Sequence, residues 1–306
     1  MNKPIRIGTR DSELALWQAT KVQAQLEEMG VTTVLVPVKS TGDLVLDKPL
    51  YELGVTGIFT KTLDVALLKN QIDLAVHSMK DVPTQLPKGI VDVAVLKRGS
   101  TDDILVHLGT DFLNGEGTIA TSSLRRKAQW LHKYPNHKVV DLRGNVNTRL
   151  MKLIENGWNG AIFAKAGLER IKLLPKDAMT LDWMLPAPAQ GAMLVVALEK
   201  NRELIKTVSA LNHKESDTCT SIEREFLRTL EGGCTAPIGA SASIKNQTVY
   251  FKGGLFSLDG IQKIVVEKKV TIDKITGFGQ QCAREVLEQG GDELMKSIKD
   301  ANSTFH

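Results

Sequence analysis

The chain has 306 residues, 42% hydrophobic and 24% charged, with a formal net charge of +4. That length exceeds one ordinary core, so two or three domains are expected, and the near-balanced charge excludes a chain built throughout as a polyanion binder. Aromatic residues make up only 5%, which argues against stacked-aromatic platforms and hence against a nucleic-acid partner.

Met1-Asn2-Lys3-Pro4-Ile5-Arg6 runs into a strand, Pro4 to Thr9, without an apolar leader. Nowhere does an apolar run approach membrane-spanning length, so a cytoplasmic protein with no membrane partner is expected. The turn Thr9-Arg10-Asp11-Ser12 then opens a helix carrying Leu14, Trp17, Ala24 and Leu26, with Asp11 or Ser12 as its cap. Free amides at that helix start attract an anion, and Arg10 stands beside them; an ordinary surface arginine is the bland alternative. Val31 to Val38 reads as a second strand. The glycine-rich stretch Lys39 to Gly57 reads as a mobile flap, and Phe59, Leu63, Ala66 and Leu67 mark a helix. Asp73 to His77 is a short strand that leads directly into Ser78-Met79-Lys80-Asp81-Val82-Pro83. Strand–helix alternation implies a mostly parallel sheet, which binds ligands beyond its strand C-termini, where Ser78, Lys80 and Asp81 fall. Asp81 is there either to steady positive charge in a substrate or simply to pair with Lys80.

Around Val95 to Thr110 the chain leaves this first unit. Thr118 to Thr121 forms a strand, Ser122 and Ser123 form a cap, and Leu124-Arg125-Arg126 begins a helix. The same arrangement recurs twice. Lys138 to Leu142 leads to Arg143-Gly144-Asn145 and a helix with Thr148 and Arg149, and Ala161 to Ala164 leads to Lys165-Ala166-Gly167 and a helix with Arg170. These arginines are not one run; they recur at equivalent topological points, so they are expected to converge on one edge and suit a ligand with several carboxylates or phosphates. No P-loop glycine–lysine pattern is present, which counts against phosphate transfer.

Pro186 to Gly191 is a stiff connector, and Met193 to Leu198 behind it is a buried strand that returns to complete the first sheet. A helix follows from about Asn201 to Leu211, and another from Ser221 to Leu230. Ala240 to Ile244, Val249 to Leu255 and Lys263 to Ile272 alternate like strands with turns at Lys245-Asn246 and Asp259-Gly260, and helices near Gln280 to Gln289 and Glu293 to Asp300 close the chain. Cys219, Cys234 and Cys282 lack C-x-x-C spacing, so neither a metal site nor a disulfide framework is indicated. Cys234 sits on the turn Gly232-Gly233-Cys234-Thr235-Ala236-Pro237, either as a small buried hydrophobe or as a thiol displayed for attachment.

Taken together, Thr9-Arg10-x-Ser12-x-Leu14-Ala15-Leu16-x-Gln18, His77-Ser78-Met79-Lys80-Asp81-Val82-Pro83, Thr121-Ser122-Ser123-Leu124-Arg125-Arg126, Leu142-Arg143-Gly144-Asn145-x-x-Thr148-Arg149-Leu150, Ala166-Gly167-Leu168-x-Arg170 and Leu230-Glu231-Gly232-Gly233-Cys234-x-x-Pro237-Ile238-Gly239 resemble the hydroxymethylbilane synthase, or porphobilinogen deaminase, family. The match is spread in order over nearly the whole chain. The resemblance implies an α/β protein: two periplasmic-binding-protein-like doubly wound domains, residues 1–95 with 192–214 and residues 96–191, plus a small C-terminal α+β domain, residues 215–306, with a three-stranded sheet and helices on one face. It implies a dipyrromethane cofactor joined by a thioether to Cys234. Four porphobilinogen units are added head to tail, each losing ammonia, before water releases the linear product.

By the same resemblance Asp81 stabilises developing positive charge and helps move protons. Ser78, Lys80, Asp81, Thr121, Ser122, Ser123, Arg125, Arg126, Arg143, Gly144 and Arg149 hold the cofactor, while Arg10, Ser12, Gln18, Ala164 and Arg170 border the substrate. A monomer is expected. Three departures stand out: Gly54-Val55-Thr56-Gly57 where the family has Gly-Gly-Lys-Gly, Pro188-Ala189 where it has Val-Gly, and Ala120 in place of a common glycine. The competing expectation is a non-catalytic two-lobed binding protein for a small polycarboxylate, which gives Cys234 and Asp81 no use.

Overall fold

The computed structural model describes residues 3–38, 60–230 and 236–303. The flap expected over 39–57, the Phe59 end of the helix after it, and Cys234 lie outside the described residues.

The first group of elements is β1 (Ile5–Thr9), α1 (Glu13–Glu28), β2 (Thr33–Pro37), α2 (Lys61–Leu68), β3 (Leu74–Ser78) and β4 (Ile90–Val95). The second is β5 (Asp103–His107), β6 (Thr118–Ala120), α3 (Leu124–Lys133), β7 (Lys138–Val140), α4 (Val146–Glu155), β8 (Gly160–Ala164), α5 (Lys165–Arg170) and β9 (Met179–Thr180). β10 (Met193–Leu198), α6 (Arg202–Val208), α7 (Lys214–Thr229), β11 (Ile238–Lys245), β12 (Thr248–Phe256), β13 (Lys263–Thr271), α8 (Phe278–Val286) and α9 (Asp292–Ser303) follow.

Two five-stranded sheets repeat one plan. The first runs β2-β1-β3-β10-β4 and the second β7-β6-β8-β5-β9. In each, three strands are parallel (β1 with β2 and β3; β6 with β7 and β8) and the fourth is antiparallel to both neighbours. Chain order therefore reverses between β1 and β3 and again between β6 and β8, and crevices open beyond the strand ends at such reversals. β10 is buried along its whole length. That explains its unbroken apolar run, since a strand covered on both faces has no polar side to alternate with. It returns from the second group to sit between β3 and β4, as its sequence implied. Apolar clusters cover both faces of each sheet.

The third sheet, β11-β12-β13, is an antiparallel meander with α7, α8 and α9 on one face around a shared core. Its first hairpin turns on Asn246 and Gln247, both with positive φ, one residue later than the sequence implied. α7 differs more. It begins at Lys214, not near Ser221, capped by the His213 side chain, which accepts from the Ser216 N–H. Its first half buries only Ser216, Cys219 and Thr220, so no apolar stripe announced it; Glu223 and Arg224 are buried farther along. No helix among the described residues is long and apolar enough to cross a membrane.

Candidate functional site

The turns after β1, β3, β6, β7 and β8 open onto one cleft of about 560 Å³ between the two five-stranded sheets. That volume falls in the usual range for small-molecule sites, roughly 300–1,000 Å³. Arg10 and Ser12 reach it from the β1–α1 turn, and Ser78, Lys80 and Asp81 from the single 3₁₀ turn after β3. Thr121, Ser122, Ser123, Arg125 and Arg126 come from the β6–α3 turn. Arg143, Gly144 and Arg149 follow from the β7–α4 turn, and Ala164 and Arg170 from the end of β8 and α5. The third sheet contributes Ala236 and Ile238, which stand next to the segment containing Cys234.

Gln18 does not line the cleft. It is buried one turn behind it, where its Nε2 donates to Ser78 Oγ at 2.8 Å. Gln18 is the sixth residue of α1 and reaches the end of β3, so this side chain orients Ser78 from behind.

The local sequence explains how each turn is shaped. Ser123 caps α3 by accepting from the Arg126 N–H, Ser122 Oγ accepts from the Leu142 N–H at 2.8 Å, and Thr121 Oγ1 accepts from the Ser123 N–H at 3.2 Å. These hydroxyls therefore build the turn as well as face the cleft. Asn145 caps α4 in the same way through the Thr148 N–H. Gly144 has φ +115°, and its carbonyl accepts from Arg149 Nε at 2.7 Å, folding the arginine back over its own helix start.

Arg125 and Arg126 are not free cations. Both are about 6% exposed and share one fully buried carboxylate, Asp103 at the start of β5. Arg125 Nη1 donates to Asp103 Oδ2 at 2.6 Å, while Arg126 donates from Nε and Nη2 to Oδ1 at 3.0 and 2.7 Å. Burial alone would raise the Asp103 pKa, but the two guanidiniums hold it well below the ordinary carboxylate range. The charge of this pair is thus about half offset, and its gain is a fixed geometry.

Gln190, fully buried in the connector, ties the two sheets together at this point. Its Nε2 donates to Thr101 O and Asp103 Oδ1, and its Oε1 accepts from Lys80 Nζ at 3.3 Å. Neither Asp103 nor Gln190 was expected from sequence, because their partners are distant in the chain and no local motif marks them.

The remaining cations carry the cleft's positive field. Burial, reinforced by Arg126, lowers the Arg149 pKa to about 10. Burial also lowers Arg170 to about 10, against the pull of Glu169; Arg170 Nη2 donates to Gly191 O at 2.6 Å, and its guanidinium lies 5.6 Å from the Trp17 ring. These shifts record desolvated cations, Arg149 being crowded also by Arg126, Arg143 and Arg10, a state that ligand carboxylates relieve. Opposite them stands Asp81, half-buried. The arrangement suits an elongated polyanion with one region of positive character held at Asp81. Among the described residues no cluster of potential metal ligands occurs.

The family profile described as "Porphobilinogen deaminase, dipyromethane cofactor binding domain" matches residues 5–206, and "Porphobilinogen deaminase, C-terminal domain" matches residues 217–288. The porphobilinogen deaminase of Chloroherpeton thalassium is 40% identical, with 99% of this chain and all of that protein aligned. That of Pelotomaculum thermopropionicum is also 40% identical, with 98% of each chain aligned. Among solved structures, the probable amino-acid ABC transporter extracellular-binding protein ytmK of Bacillus subtilis aligns with 69% of this chain and 90% of its own, at 12% identity and a TM-score of 0.43. With the turns after β1, β3, β6, β7 and β8 all inside the first matched region, and relatives aligned almost end to end, the chain belongs to the porphobilinogen deaminase family.

Proposed function

We propose that the chain is a hydroxymethylbilane synthase, a transferase that joins four porphobilinogen molecules head to tail with loss of ammonia and releases the linear tetrapyrrole by hydrolysis. The observation that carries this reading is one cleft whose lining gathers Arg10, Lys80, Arg143, Arg149 and Arg170 around Asp81, with Asp11 and Glu13 as the other acidic residues, both at the start of α1. Each pyrrole ring of such a chain brings two carboxylates, and each charge-assisted hydrogen bond to them contributes about 1.5–3 kcal/mol.

A dipyrromethane, when bound, supplies the nucleophilic pyrrole carbon that accepts the first substrate. The cleft's volume and its desolvated cations fit that group. Ser78, Lys80, Thr121, Ser122, Ser123, Arg125, Arg126, Arg143, Gly144 and Arg149 are the proposed holders, with Arg10, Ser12, Ala164 and Arg170 toward the substrate. Gln18 acts through Ser78. Loss of ammonia leaves porphobilinogen electron-poor, and Asp81 is proposed to hold the positive charge on its N–H and to move the proton released as each bond forms. Cys234 is the proposed attachment point. Three domains, 1–95 with 192–214, 96–191 and 215–306, are proposed on the support of the three sheets. The reading keeps a cytoplasmic monomer without a nucleic-acid partner.

The test is intact mass of the denatured protein made in a porphobilinogen-producing host. A two-ring adduct is expected in the wild type and its loss in Cys234→Ser. An unmodified wild-type chain would return the cleft to a polycarboxylate-binding role.

A further inference from the structure

Arg224 of α7 is a buried cation outside the cleft lining, 6% exposed, and its hydrogen bonds fall on one turn. Nη1 donates to Met79 O at 3.3 Å and Val82 O at 2.9 Å, and Nη2 donates to Pro83 O at 2.7 Å. One helical turn later, Arg228 Nη2 donates to Thr84 O at 2.7 Å. Residues at i and i+4 share a helix face, so the two arginines form one grip. The gripped segment is the 3₁₀ turn Met79–Asp81 and its continuation, which present Lys80 and Asp81 to the cleft. Its other side is held from the connector: Met79 N–H donates to Ala192 O at 3.0 Å, and Lys80 Nζ to Gln190 Oε1.

Burial lowers the Arg224 pKa, partly opposed by Asp92. A buried guanidinium that donates to backbone carbonyls contributes little net stability over apolar packing of the same volume, because desolvation opposes the gain. What the planar fork does provide is direction, since it fixes several carbonyls of one turn in a single plane. The same helix leads into the segment that carries Cys234. Leu230, the last described residue before it, lies only about 9 Å along the axis from Arg224 at 1.5 Å per residue.

We infer that Arg224, assisted by Arg228, is a positioning residue that aims the Asp81 turn by clamping its carbonyls to the helix of the third domain. The inference rests on the role proposed for Asp81. It predicts that loosening the clamp slows bond formation while leaving anion binding largely intact.

The test uses Arg224→Ala, Arg228→Ala and Asp81→Asn in the full chain, singly and with each arginine variant combined with Asp81→Asn. Both arginine variants are expected to keep the two-ring adduct. Arg224→Ala is expected to lower kcat about tenfold or more with KM within about threefold, as for a misaimed group rather than a lost binding contact. Added guanidinium ion, refilling the vacated fork site, is expected to restore part of kcat. Arg228→Ala gives a smaller loss in the same direction. In the Asp81→Asn background, Arg224→Ala is expected to change the residual rate of ring addition by less than about twofold, because its effect runs through the missing carboxylate.

An equal fractional loss in both backgrounds overturns the inference. So does full kcat in Arg224→Ala, or guanidinium that raises Tm without raising kcat. Should Arg224→Ala fail to fold, Arg228→Ala carries the same cycle. The functional reading fails by different results, a wild type without adduct or Asp81→Asn with full turnover, and the inference falls with it.

Discussion

Burial, reinforced by Arg126 and Arg125, lowers the Lys80 pKa from 10.5 to about 8, against the opposing pull of Asp81 and Asp103. Below about pH 8 both folded and unfolded chains carry this proton, and the burial penalty is felt in full. From about pH 8 to 10.5 the unfolded chain keeps a proton that the ligand-free fold has released, so this group's contribution to stability rises with pH across that window. Anion capture runs the other way, because it needs the ammonium. Loading of ligand-free protein with a pyrrole polycarboxylate is therefore expected to fall as pH rises through about 8, whereas carboxylates already bound raise the Lys80 pKa and protect the loaded form. Lys80→Gln should lower loading near neutrality and flatten its pH dependence. Intact mass against pH measures both, and loading that stays constant through this window in the wild type refutes the assignment. At the same scale, Arg125 and Arg126 were legible as cations at a helix start, but their shared partner was not. Asp103 opens an apolar strand 22 residues before Arg125, and nothing in its neighbours announces two guanidiniums arriving there.

At the scale of elements, the strand–turn–helix units were legible because each strand is short and apolar and two of the turns carry side-chain caps; Ser12, at the expected cap of α1, makes no side-chain cap hydrogen bond. The Asn145 and Ser123 caps follow from residue type alone. The N-terminal half of α7 was not legible, because its buried face is polar and serves partners that only the tertiary fold supplies. In that first half the buried residues include Ser216 and Thr220; in the second half, where a helix was expected, Glu223 and Arg224 look solvent-facing in sequence and are buried in the structure. The β7–α4 turn is the element where a small change should cost most clearly. Gly144 has φ +115°, and a Cβ there would come within 2.8 Å of Thr148 Cγ2 and 2.9 Å of its Cβ. Gly144→Ala is expected to destabilise by about 1–3 kcal/mol, the cost of forcing a side chain into that backbone region. Because Gly144 O also holds Arg149 Nε, retention of the polycarboxylate should weaken as well. Denaturant unfolding and adduct mass measure the two effects, and unchanged values for both would mean that the turn relaxes freely.

At the scale of the whole molecule, the three-stranded sheet and its helices touch the units of both five-stranded sheets. Arg224 grips the turn after β3, while His132 Nδ1 of α3 bonds with Gly260 O in the β12–β13 turn at 2.7 Å. Between these contacts lie the two chain crossings that join the lobes, and one fully buried carboxylate takes hold of both. Glu223 accepts from Arg98 Nη1 and Nη2 at 2.7 and 2.9 Å on the first crossing. It also accepts from the Ala189 N–H on the second and from the Ala242 N–H of β11, each at 2.6 Å. Ala189 itself has φ 61°, at the place where the family resemblance has glycine, so the second crossing holds a left-handed alanine fixed by that bond. Glu223→Gln keeps the shape but leaves the Arg98 charge buried without its carboxylate. A loss of about 3–5 kcal/mol is expected, as for other broken buried pairs. Hydrogen exchange is expected to speed up at the amides of Ala189 and Gln190 on one crossing and Gly99 on the other, while amides within β6 and β8 keep their protection. If exchange at the crossings matches the wild type while the protein is destabilised, Glu223 anchors only the third domain, and the angle between the lobes is set by Gln190 and Asp103 instead.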